Sequence, residues 1–78
     1  MAYARAEEYE RRRDQLEGWD VHVTVYRIGE RWFCKVDNVS PGAIVARAEG
    51  TERAEAVAAA VARARTRLAA TRRFVTSK

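Results

Sequence analysis

The chain has 78 residues, with 15 Lys and Arg against 11 Asp and Glu, one His and a formal net charge of +4 at pH 7. A chain this short hides only about 60% of its unfolded surface, so a single domain over residues 1–78 with one thin core is expected, a monomer or a homodimer. No stretch is long and apolar enough to span a bilayer, MAYARAEEYERRR is too charged for a signal peptide, and the lone Cys34 has no internal disulfide partner, which together point to a cytoplasmic protein.

The charge is unevenly spread. Residues 1–17 carry four Arg against five acids, residues 18–50 carry four cations against four acids, and residues 51–78 carry seven cations against two acids. The excess therefore sits on the C-terminal segment, where Arg53, Arg63 and Arg67 form a candidate basic surface. On an Ala-rich helix, Arg also serves simply as a soluble helix former.

From residue 2 to 17 the composition of Arg, Glu, Gln and Leu favours a helix, with Gly18 as its C-terminal cap and only Ala6, Tyr9 and Leu16 as an apolar stripe. Glu7 and Glu8 stand four residues before Arg11 and Arg12, the spacing of helical ion pairs. The next segment, 20–28, alternates Val21, Val23 and Val25 with His22, Thr24 and Tyr26, the period of two of a half-buried strand. Gly29-Glu30 suits a two-residue type II′ turn into a second strand, 31–39. That turn sets Val25 opposite Cys34 and Val23 opposite Val36 on one face. On the other it sets Tyr26 opposite Phe33, Thr24 opposite Lys35 and His22 opposite Asp37.

Ser40-Pro41-Gly42 reads as a turn, followed by a third strand, 43–49. Its facing is open, because a two-residue and a bulged three-residue loop give opposite answers; the cost of burying Arg47 favours Ile44 and Ala46 inward. Thr51 suits an N-cap with Glu52 in the first turn, opening a helix over 52–72 and a tail over 73–78. Ala54, Val57, Ala58, Val61, Ala64, Arg65 and Leu68 keep a three-four spacing, which faces them to the sheet and turns Arg53, Ala60, Arg63 and Arg67 away. The expected architecture is α+β in two layers: a three-stranded antiparallel sheet against a long C-terminal helix, preceded by an N-terminal helix, α-β-β-β-α.

One sheet face would then stay uncovered, with Tyr26, Phe33, Thr24, His22, Lys35 and Asp37 on it, joined by Val45 and Arg47 on the favoured facing of the third strand. A Tyr–Phe pair among polar groups suggests a docking surface, although cross-strand aromatic pairs also stabilise hairpins by themselves. Catalysis has few candidates. His22 and Asp37 face each other across the strands, but Cys34 points inward as a small hydrophobe, and no other nucleophile joins them. No residue spacing suits a metal or a phosphate loop, so neither enzyme activity nor a cofactor is expected. The order α-β-β-β-α is also that of double-stranded RNA-binding domains. At the helix start, however, Thr51-Glu52-Arg53-Ala54-Glu55 puts two acids where phosphate would sit, so direct nucleic-acid binding is the lesser expectation.

Two resemblances add to this reading. Gly50-Thr51 followed by Glu55-Ala56 resembles the helix entry of HicB-like antitoxin domains, and Pro41-Gly42 echoes a segment of that family. Val25-Tyr26, Gly29, Val36, Asn38-Val39, Gly42 and Val45 fall, without a gap, at the spacings of a small phage-encoded anti-CRISPR family that inhibits the type I-F surveillance complex. This similarity covers roughly the central third of the chain. It implies a non-catalytic inhibitor acting in the cytoplasm of a bacterial host cell. In that family a tyrosine and an acid on the sheet meet a lysine-bearing region of the complex's backbone subunit and keep target DNA from pairing with the guide. Those positions match Tyr26 and Asp37 here, with Asp in place of Glu, and a further N-terminal aromatic of the family corresponds to Tyr9 across a gap.

Overall fold

The computed structural model describes residues 7–39 and 42–71. Four strands form one antiparallel meander: β1 (Glu7–Leu16), β2 (Trp19–Ile28), β3 (Arg31–Asn38) and β4 (Ile44–Gly50), ordered β1-β2-β3-β4 across the sheet. Among the described residues one helix, α1 (Arg53–Ala70), follows. The class is α+β, but the sheet has four strands and among the described residues no helix precedes it.

The expected helix over 2–17 is thus overturned within its described part, since Glu7–Leu16 is a strand. The physical reason lies at Glu17-Gly18. Both have positive φ, 52° and 82°, as the central pair of a type I′ hairpin turn requires. Gly18 takes the left-handed conformation that a helix cap would also need, so one residue served two readings. Pairing with β2 supplies the backbone hydrogen bonds that a helix would have made internally. Helical ion pairing gives way too: Glu8 lies 4.0 Å from Arg27 and Arg12 lies 3.8 Å from Asp14.

The β2–β3 hairpin has the register expected from Gly29-Glu30, with Val25 opposite Cys34, Val23 opposite Val36 and Tyr26 opposite Phe33. Gly29 has φ 63°. Asn38 organises the next connection: its side-chain oxygen accepts from the backbone N–H of Gly42 at 3.1 Å and of Ala43 at 2.9 Å. Ser40 and Pro41 lie outside the described residues.

Helix α1 packs on one sheet face, mainly over β4 and β3, less over β2 and barely over β1. Val21, Val23, Val25, Cys34, Val36, Ala46 and Ala48 are buried beneath it, against Ala56, Ala60, Ala64 and Leu68. Each fully buried Val contributes roughly 1.5–3 kcal/mol, and the alanines let the helix sit close enough for the valines to fill the layer. The buried helix positions recur at every fourth residue. Ala60 is therefore inward, contrary to the expected outward face, while Ala54, Ala58 and Arg65 are exposed.

Two further expectations are corrected. Ile44 is 45% exposed, because an irregularity between Val36 and Asp37 pairs Ala46 with Val36 and Ile44 with Asp37, inserting Val45 as an extra residue. Val45 then packs against the core in place of Ile44. The helix begins at Arg53 with Glu52 as N-cap, not Thr51. Glu55 instead accepts hydrogen bonds from the Thr51 backbone N–H at 2.9 Å and its hydroxyl at 3.2 Å.

Candidate functional site

Because α1 covers one face, the alternate residues of all four strands make up the other. Cross-strand register sorts them into rows. Tyr26, Phe33 and Glu49 are direct neighbours in one row. Arg11, Thr24, Lys35 and Arg47 form the next, and Arg13, His22, Asp37 and Ile44 the third.

Tyr9 completes the first row. Between Glu7 and Glu10 the register of β1 shifts, with Glu8 at φ 54°, and this extra residue brings Tyr9 over β2. Its ring stacks on Tyr26 with centroids 6.3 Å apart, and Tyr26 stacks on Phe33 at 5.6 Å. Three near-parallel rings thus cross three strands. Tyr9 remains 61% exposed.

The face brings together the expected residues except Val45, which packs against the core, and it exposes them to different degrees. Arg47 is exposed; His22, Tyr26, Phe33, Lys35 and Asp37 are half-buried. Thr24 lies in the open-face row yet is buried at 1%, so it is a floor and not a contact. His22 does not use Asp37 as a partner. Its Nδ1 lies 3.0 Å from an Arg11 nitrogen, and since arginine can only donate, His22 accepts there. Asp37 Oδ1 is buried without a hydrogen-bond partner among the described residues. At the end of the face, Asp20 accepts from Arg13 at 3.1 Å and from Gln15 at 3.2 Å, and these bonds hold its carboxyl below the usual range.

The C-terminal basic surface is not one patch. Arg53 bonds to Glu10 of β1. Arg63 and Arg67 reach the edge strand β4 and donate to the backbone oxygens of Arg47 at 2.8 Å and Val45 at 2.7 Å. Arg63, but not Arg67, also borders a groove of about 680 Å³ on the open face, lined with it by Tyr26, Phe33, Lys35, Arg47 and Glu49.

Cys34 is buried at 2%, and burial pushes its thiol pKa up, as suits an inert core position. Among the described residues no group of three His, Cys, Asp or Glu could hold a metal ion, and no helix is long and apolar enough to cross a membrane. The comparison with double-stranded RNA-binding domains loses its basis, because the strand β1 stands where their first helix would. Sequence reasoning also missed Arg11, Arg13 and Ile44 as parts of this face. The alternation of Tyr9, Arg11, Arg13 and Gln15 was the signal available.

No family model matches the chain, and no match was found among curated proteins or solved structures.

Proposed function

We propose that this protein is a non-catalytic inhibitor that docks its open sheet face on a protein subunit of a type I CRISPR surveillance complex and blocks target DNA binding. The carrying observation is that Tyr26 and Asp37, the two positions singled out by the resemblance, share the face that the helix leaves uncovered. Tyr9, the third aromatic, stacks beside Tyr26 on that face although it comes from a different hairpin. A rigid sheet fixes these groups in advance, so little ordering is lost on binding. Tyr supplies apolar area with a polar tip, and the half-buried Asp37 carboxylate supplies an acid for a charge-assisted bond from a basic partner group.

The test is capture of purified surveillance complex and inhibition of its binding to target DNA. Tyr26→Ala with Asp37→Ala is expected to abolish both while the thermal unfolding transition remains cooperative. Unchanged inhibition by this double variant eliminates the surface. Salt-dependent binding to duplex RNA or DNA, with no capture of the complex, would favour a nucleic-acid-associated or HicB-like role instead.

A further inference from the structure

Lys35 and Arg47 are direct cross-strand partners on the open face. Like charges in that relation destabilise a sheet, and an acid at either position would be the ordinary solution. The nearby acids do not relieve them. Glu49 is held by Arg31 at 2.9 Å, Asp20 is held by Arg13, and neither Lys35 nor Arg47 has an ion pair among the described residues. Arg11, in the same row, bonds to His22, which brings no negative charge. Three cations thus lie in one row with no carboxylate bonded to them among the described residues, and two of them line the groove beside Tyr26 and Phe33.

We infer that this groove receives an acidic segment of a protein partner, with an Asp or Glu carboxylate between Lys35 and Arg47 and apolar atoms against the Tyr26 and Phe33 rings. Charge complementarity selects an anion. Two observations select a protein over a nucleic-acid strand. Tyr26 is flanked by a ring on each side, which leaves the centre of the aromatic row without a free face for a base. Asp37 also lies in the row beside the cations, where its carboxylate disfavours a continuous phosphate chain but leaves room for a discrete carboxylate between Lys35 and Arg47. This assignment goes beyond the reading above. It concerns the chemistry of whatever occupies the face, and it adds an acidic contact to the lysine-bearing one that the resemblance implies.

The experiment uses the full chain at low salt with two probes, poly-L-glutamate and single-stranded oligo(dT), read by the thermal unfolding midpoint, alongside capture of the surveillance complex. Lys35→Glu replaces the opposed cations with an ion pair, so this variant alone is expected to unfold about 2–5 °C higher than the native chain. It is also expected to lose the upward shift that poly-L-glutamate gives the native chain. Arg65→Glu, the same charge reversal outside the groove, is expected to keep that shift. A gain in stability combined with a loss of binding cannot come from misfolding. The inference is overturned if Lys35→Glu retains the poly-L-glutamate response, if it unfolds lower than the native chain, or if oligo(dT) stabilises the native chain more than poly-L-glutamate does. Should the native chain ignore the surveillance complex yet respond to poly-L-glutamate through Lys35, the CRISPR reading fails and this one stands.

Discussion

Tyr9 of β1 lies against Tyr26 of β2 with ring planes 22° apart, and this contact joins the first strand to the face that the second and third strands build. The helix hardly reaches β1, so the side chains from Glu8 to Gln15 are exposed, and only Leu16 is buried among the described side chains of that strand. Stacking is then a main side-chain tie at the start of the strand. Tyr9→Ala is expected to cost about 0.5–1.5 kcal/mol in global stability. The larger effect should be local: amide exchange in β1 speeds up while β3 and β4 keep their protection. Unaltered exchange in β1 would show that the stack does not hold the strand.

The turn between β1 and β2 gives a prediction whose sign separates the two readings of the N-terminal segment. Glu17 adopts φ 52°, a region that favours Gly and Asn over Glu. Glu17→Asn is expected to raise stability by roughly 0.5–1 kcal/mol, measured by denaturant unfolding, because it relieves that conformation in a type I′ turn. The ion pair it gives up, Arg65 to Glu17 at 3.7 Å, is solvent-exposed and worth little. If residues 7–16 were helical, the same change at the helix end would replace a good helix former with a poorer one and lower stability.

The β2–β3 hairpin was legible because Val21, Val23 and Val25 alternate with polar residues and Gly29-Glu30 fixes the turn, so two independent signals agree. β1 was not, because a strand outside the helix's reach has no apolar alternation to show. Its Glu and Arg residues also prefer helix when only local propensity is consulted. Ile44 was misplaced because one inserted residue, Val45, reverses the facing, and bulges leave little trace in sequence. In α1 the alanines occupy every angular position, so the three-four stripe and the observed row Ala56, Ala60, Ala64 and Leu68 could not be told apart. The open face was legible in part: the residues of the central hairpin were found, and those supplied by β1 were not.

Acid should weaken the fold through two exposed carboxylates. Asp20 is held below its usual pKa by hydrogen bonds from Arg13 and Gln15, and Glu55 by the backbone N–H and hydroxyl of Thr51. A folded-state pKa below the unfolded one means that the unfolded chain binds more protons. The stabilisation is therefore complete above the ordinary carboxylate range and is lost as pH falls through that range to the depressed values. Denaturant midpoints recorded from neutral to strongly acid pH are expected to decline over this window, and more gently in a variant carrying Asp20→Asn and Glu55→Gln. Identical slopes in the two proteins would assign the acid sensitivity to other groups.

Arg63 and Arg67 close the opposite edge of the sheet. Their guanidinium groups donate to the Arg47 and Val45 carbonyls of β4, which is an edge strand. A strand edge with free carbonyls invites pairing with another chain, and charged side chains are a common means of preventing it. Here the charge also occupies the acceptors. Arg63→Ala with Arg67→Ala would free two backbone oxygens and remove two positive charges, leaving β4 able to add a strand. The double variant is expected to remain folded, since both side chains lie outside the buried row of α1, and to self-associate with increasing concentration in sedimentation or light scattering. The native chain under the same conditions should show a smaller dependence. Equal dependence in both proteins would mean that these arginines anchor the helix without guarding the edge.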